Sequence, residues 1–150
     1  IRIVHLTGNN ENISLNVKTN KNYVRKKFIN NVAAVMQNCD LVISRSGAGA
    51  INELMHTQKP SILIPFPSSK NNHQEQNALI LSSLGGAILI NQKLNSNFYL
   101  KETLERIFEK QSKKGKFRIL QIMQKNMSLI NNEDPKRKII KILNQCKKDC

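Results

Sequence analysis

Tryptophan is absent from this 150-residue chain, and two tyrosines and five phenylalanines bring the aromatic share to only 5%. A nucleic-acid surface built on stacked aromatics would have little to work with. Acidic side chains are scarce as well. Ten Asp and Glu stand against 24 Lys and Arg, giving a formal net charge of +14 and a pI near 10.0. The three aspartates, Asp40, Asp134 and Asp149, never form Asp-x-Asp, and His5, His56 and His73 lie far apart. No spacing therefore suggests a metal site, and neither metal nor cofactor is expected. Cys39, Cys146 and Cys150 are odd in number and form no Cys-x-x-Cys, which argues against a disulfide framework or zinc knuckle and fits a reducing compartment. No apolar run approaches the roughly 20 residues needed to cross a bilayer. The chain opens on Ile1-Arg2-Ile3-Val4-His5, with neither an initiator methionine nor a signal peptide, which reads as a fragment lacking its upstream part.

What is present is an alternation. Residues 1–6, 41–44, 61–65 and 87–90 are short β-branched or apolar runs that read as strands, and 23–28 reads as a more polar one. Between them, residues 32–38, a stretch opening at Gly47, and residues 74–84 have helical spacing, while 9–22 is an Asn-rich loop. Repeated strand–helix units predict an α/β fold, a Rossmann-like parallel sheet with helices on both faces. The remainder differs: residues 99–111, 117–130 and 135–147 all show helical periodicity. The expected organisation is an α/β body over 1–95 and a helical extension over 96–150 packing on the same domain. Residues 1–100 carry 10 basic and 4 acidic side chains and residues 101–150 carry 14 and 6, so the positive charge is spread along the chain.

In an open parallel sheet, ligands bind beyond the carboxyl ends of the strands. Residues 7–8, 28–31, 44–50 and 66–76 are expected at that edge. The densest signal is Ser44-Arg45-Ser46-Gly47-Ala48-Gly49-Ala50-Ile51-Asn52-Glu53. Small residues between a strand and a helix leave backbone N–H groups uncovered, and the helix dipole adds positive potential, which suits a phosphate. Glu53, one turn further in, can accept hydrogen bonds from both hydroxyls of a ribose. Equally, Gly47 and Gly49 can simply permit a tight turn, with Glu53 serving the helix dipole. A second signal is Pro65-Phe66-Pro67 followed by Asn72-His73-Gln74-Glu75-Gln76-Asn77-Ala78. Asn72 can cap a helix with Glu75 at its third position. Gln74 and Asn77, three apart and so on one helical face, offer amides that both donate and accept, as sugar hydroxyls require, or are solvated helix-start residues. The third is Phe28-Ile29: an aromatic at a strand end can stack on a base or belong to the core.

Taken in order and spacing, these segments resemble the C-terminal half of the MurG-type glycosyltransferases. The likeness runs through His5-Leu6-Thr7-Gly8, Phe28-Ile29-Asn30-Asn31, Arg45-Ser46-Gly47-Ala48, Glu53, Lys59-Pro60, Pro65-Phe66-Pro67, and His73-Gln74 to Asn77-Ala78-Leu79, and covers about the first 95 residues. The resemblance implies a GT-B type C-terminal domain, incomplete at its N-terminus. It also implies an inverting, metal-independent enzyme that moves N-acetylglucosamine (GlcNAc) from UDP-GlcNAc to lipid-linked muramyl-pentapeptide in peptidoglycan synthesis. By the same resemblance Ile29 reads the uracil through its backbone, with Phe28 packing over the ring. Ala48, Gly49, Ala50, Ile51, Asn52 and Glu53 line the nucleotide, with Glu53 on the ribose. Gln74 and Asn77 hold the GlcNAc hydroxyls, and Arg45 and Ser46 start and shape the loop. The family's diphosphate-gripping Gly-Gly-Ser loop and its acceptor-binding domain with the candidate base are expected upstream of Ile1. This chain would then carry no catalytic residue and be inactive alone. Implied partners are the UDP-GlcNAc donor, the lipid-linked acceptor through the missing domain, and an anionic membrane surface on the inner face of the bacterial plasma membrane.

Three other readings fit parts of the sequence. A dolichol-pathway GlcNAc transferase subunit shares Ser-Gly-Ala-Gly and His-Gln, but would carry His-Ala-Gly where Arg45-Ser46-Gly47 stands. A non-catalytic module could keep the fold. A basic nucleic-acid-binding module fits the charge of +14, but not the lack of aromatics or of a zinc or RNP motif, so no nucleic acid is expected.

Overall fold

The computed structural model describes residues 1–9, 20–69, 72–92, 96–108 and 118–130. Its contacts form two compact units, Ile1–Val35 and Met36–Cys150.

The first unit holds strands β1 (Ile3–Leu6) and β2 (Tyr23–Lys26), paired in parallel from Ile3 opposite Tyr23 to Leu6 opposite Lys26. Asn20 shapes the entry to β2, its side-chain oxygen accepting from the N–H groups of Asn22 and Tyr23 at 2.8 and 3.1 Å. His5 Nδ1 and the Tyr23 hydroxyl are hydrogen-bonded at 2.9 Å, which accounts for a lone histidine on a strand. Helix α1 (Val32–Gln37) spans the division between the units. Asn31 accepts from the Ala34 N–H at 2.9 Å and so caps its start.

The second unit alternates as the sequence pattern predicts: β3 (Val42–Ser44), α2 (Ala48–Thr57), β4 (Ser61–Leu63), α3 (His73–Ser83) and β5 (Ala87–Leu89), then α4 (Ser96–Phe108) and α5 (Arg118–Ser128). Its three strands pair in parallel in the order β3-β4-β5. β4, between two neighbours and covered on both faces, is buried throughout, as its unbroken apolar run requires. Strands are shorter than their apolar runs, although Ile64 still donates to the Ser44 carbonyl and Ile90 to that of Leu63. Parallel pairing with helices on both sides matches the expected α/β class.

The turns are keyed by two left-handed residues. Helix α2 ends at Gln58 (φ 53°), and α3 runs out into Gly85 (φ +68°). Helix α5 closes over both turns. Gln124 donates to the Gln58 carbonyl at 2.8 Å, and Asn126 to that of Gly85 at 3.1 Å. Its Leu120, Met123 and Met127, spaced i, i+3, i+7, form one buried face. Leu120 and Ile107 of α4 meet Ile62 and Ile90 in a core cluster, with Leu41, Ile64 and Ile88 packed against it. The two helices are therefore built into the same core as the strands. The third expected helix, over 135–147, lies outside the described residues. Among the described residues, no helix is long and apolar enough to cross a membrane, and no cluster of three or more His, Cys, Asp or Glu could hold a metal ion.

Candidate functional site

The loop from β3 into α2 shows how the second unit presents its polar groups. Gly47 precedes α2 with extended backbone (φ −62°, ψ 154°) and has no side chain with which to cap it. The first intrahelical bond runs from the Ile51 N–H to the Gly47 carbonyl at 3.0 Å. The N–H groups of Ala48, Gly49 and Ala50 precede it and have no acceptor within the helix. Ala48 and Gly49 are exposed, and a Cβ at Gly47 or Gly49 would meet no atom within 4 Å. Neither glycine has a positive φ, so the tight-turn explanation of this pair fails on backbone grounds. What the small residues leave is an uncapped, open helix N-terminus.

Glu53 is half-buried in the second turn of α2, past the first turn where a carboxylate best serves the dipole. Among the described residues, no hydrogen bond or ion pair engages its carboxylate. Asn52 is exposed. Ile51 is buried (7% exposed) with its N–H committed to Gly47, so it anchors the helix in the core and offers a ligand nothing polar but its carbonyl.

Ser46 ties this loop to the start of α3. It is fully buried; its hydroxyl donates to the Gln74 carbonyl at 2.7 Å, and its carbonyl accepts from Asn77 Nδ2 at 3.0 Å. Gln74 in turn accepts, through Oε1, from the Phe66 N–H at 3.0 Å. The amides of Gln74 and Asn77 are thus each engaged on one side by the scaffold, and among the described residues Nε2 of Gln74 and Oδ1 of Asn77 keep capacity for a ligand. Arg45 donates from Nη1 to the carbonyls of Ile64 (3.0 Å) and Pro65 (3.1 Å) and to Gln92 Oε1. Its guanidinium carbon also lies 5.5 Å from the Phe66 ring centroid. Arg45, through Nη1, and Ser46, through its hydroxyl and carbonyl, therefore hold the loop's neighbours together.

The structure thus brings together Arg45, Ser46, Gln74 and Asn77, with residues 48–53 continuing directly from them. Phe28 and Ile29 belong to the first unit, where Phe28 is 76% exposed, so packing in the core does not explain it. The capping box expected from Asn72 and Glu75 does not form. Asn72 is left-handed (φ 53°) and makes no side-chain cap bond, because capping geometry requires an extended residue at that position. Asn72 and an exposed Glu75 instead line an open depression with Pro65, Phe66, Pro67, Ser69, Leu89 and Asn91, to which none of residues 48–53 contributes. Gln92 was not singled out by sequence reasoning. Its partner lies 47 residues earlier, and only its place just beyond β5 could have pointed to it.

Comparison with known proteins bears on this arrangement. The glycosyltransferase family 28 C-terminal domain matches residues 1–146. The chain is 57% identical over 144 residues to a protein of Prochlorococcus marinus strain AS9601 named UDP-N-acetylglucosamine–N-acetylmuramyl-(pentapeptide) pyrophosphoryl-undecaprenol N-acetylglucosamine transferase. That match covers 95% of this chain and 40% of the relative. A protein of the same name from strain NATL2A is 42% identical over 145 residues, covering 95% of this chain and 39% of the relative. The chain therefore spans about 40% of the length of these curated relatives. Among solved structures, Acinetobacter baumannii MurG superposes with a TM-score of 0.76 at 18% identity, over 96% of this chain and 43% of that one. The spinosyn forosaminyltransferase SpnP superposes with a TM-score of 0.61 at 13% identity, over 88% of this chain and 29% of that one.

Proposed function

The chain belongs to the glycosyltransferase family 28 C-terminal domain family, and from that membership we propose that it supplies the donor-binding half of an inverting, metal-independent GlcNAc transferase. The donor is UDP-GlcNAc and the acceptor a lipid-linked muramyl-pentapeptide, as the names of its relatives suggest. The observation that carries the reading is the uncapped N-terminus of α2, joined through Ser46 to the half-engaged amides of Gln74 and Asn77. In this reading the N–H groups of Ala48, Gly49 and Ala50 face the nucleotide, and the carboxylate of Glu53 accepts from the ribose hydroxyls. Asn52 borders the nucleotide, and Ile51 keeps the helix seated. The amides of Gln74 and Asn77 take the sugar. For the first unit, taken by itself, the reading assigns Ile29 the uracil edge through its backbone and the exposed Phe28 the face of the ring.

Chemically, such a site stabilises a departing UDP without a cation. Negative charge developing on the leaving diphosphate is met by oriented N–H groups and the positive end of a helix dipole, which need no reorganisation during the reaction. The acceptor hydroxyl and its base would come from an acceptor-binding domain. A lipid pyrophosphate acceptor places the reaction at the inner face of the plasma membrane, where a surface of net charge +14 is favourably disposed toward anionic headgroups. The dolichol-pathway and nucleic-acid alternatives are not favoured by a family match over residues 1–146.

Calorimetric titration of the chain with UDP-GlcNAc and with GDP-mannose tests the reading. Binding of UDP-GlcNAc with a clear preference over GDP-mannose is the expected result. Equal affinity for the two, or none for either, would overturn it.

A further inference from the structure

We propose that Arg45 is a positioning residue that selects the donor sugar through one peptide group, the one joining Pro65 to Phe66; this rests on the donor reading above. Pro65 and Pro67 have no N–H, so the Phe66 N–H is the sole main-chain donor of the Pro65-Phe66-Pro67 segment. It is given to Gln74 Oε1 at 3.0 Å. The carbonyl of that same planar peptide, on Pro65, accepts from Arg45 Nη1 at 3.1 Å, while the preceding carbonyl, on Ile64, accepts at 3.0 Å. Arg45 thus grips one end of a rigid plate whose other end holds the Gln74 carboxamide. Gln92 and the Phe66 ring hold the guanidinium from other directions.

The consequence for Gln74 is a fixed polarity. With Oε1 engaged by Phe66, its remaining group is the Nε2 amide, which can only donate. The sugar atom placed there must therefore be an acceptor, a hydroxyl or acetamido oxygen. Loss of the Arg45 grip lets the peptide rotate and the Gln74 amide reverse, so that this polarity is no longer imposed. A hydrogen-bonded series of this kind also polarises along its length, strengthening the last donor when the first is charged.

The test separates the sugar from the nucleotide. Affinities of the chain for UDP-GlcNAc and for UDP are measured by calorimetry in the unaltered chain, Arg45→Ala, Arg45→Lys, Gln92→Ala, Gln74→Ala and the Arg45→Ala/Gln74→Ala double variant. Arg45→Ala is expected to weaken UDP-GlcNAc about tenfold and to leave UDP within about twofold. In the Gln74→Ala background, the same Arg45 change should have no further effect on the sugar preference. Arg45→Lys keeps the charge but not the fork and should fall between, and Gln92→Ala should show the same pattern in smaller measure. Should Arg45→Ala fail to fold, these two milder variants decide the matter by the same ratio. Equal weakening of both ligands would make Arg45 a general support of the loop and overturn the proposal. So would losses from Arg45 and Gln74 that simply add. An unaltered chain without preference for UDP-GlcNAc over UDP would overturn the donor reading itself, and this proposal with it.

Discussion

Two single side chains test the account from opposite directions. Glu53 is half-buried with no partner among the described residues, an arrangement that costs solvation unless something else engages the carboxylate. Replacing it with alanine should weaken UDP-GlcNAc binding by about 1.5–3 kcal/mol, the range for hydrogen bonds to a charged group, while leaving thermal stability nearly unchanged. Unaltered affinity in calorimetry would remove Glu53 from the site. Ser61 is the contrasting case. It is fully buried at the start of β4, and among the described residues its hydroxyl has no hydrogen-bond partner. Ser61→Ala removes an unsatisfied group from the core, so urea unfolding should show stability unchanged or raised by up to about 1 kcal/mol. A marked loss would mean that the hydroxyl has a partner. Residue identity alone separated neither case from an ordinary surface glutamate or strand serine, because burial depends on what packs from elsewhere.

Among the elements, α5 shows most directly how the tail supports the α/β layers. Its Asn126 and Met127 lie against the turn at Gly85-Gly86 between α3 and β5. At Gly85 the φ of +68° disfavours any Cβ, and one placed there would sit 2.5 Å from Asn126 Nδ2. Gly85→Ala should therefore destabilise the chain by about 1–2 kcal/mol for the left-handed backbone alone, with more lost if Asn126 must release the Gly85 carbonyl. Chemical denaturation would show this as a lower midpoint at constant slope. The strands and helices of the second unit were largely legible, most directly in the unbroken apolar run of β4 and the i, i+3, i+7 face of α5, which match the core they fill. Asn72 was not: whether an asparagine caps a helix depends on its backbone angles, which no residue pattern fixes. Nor was the Arg45 grip, whose acceptors lie 19, 20 and 47 residues away and meet it only once three strands are side by side.

For the molecule as a whole, the charge of +14 is the property most open to a direct test. If the surface serves attachment to anionic lipid, the chain should cosediment with vesicles containing phosphatidylglycerol and not with neutral phosphatidylcholine ones. Binding should fade as salt rises past about 0.15 M, where the screening length falls to about 8 Å. Equal recovery with neutral vesicles would leave the charge without that role. The positive balance was plain from composition, but its distribution over the surface was not, because basic residues are spread from end to end of the sequence. The open start of α2 has a consequence of another kind. If it receives the donor as proposed, a recognition surface made of peptide groups has few side chains that can be exchanged, so the lysine- and asparagine-rich bias of this chain can drift around it without altering what it grasps. A drug that mimics the natural cargo and leans on those same amides would meet correspondingly few positions at which a resistance mutation could arise.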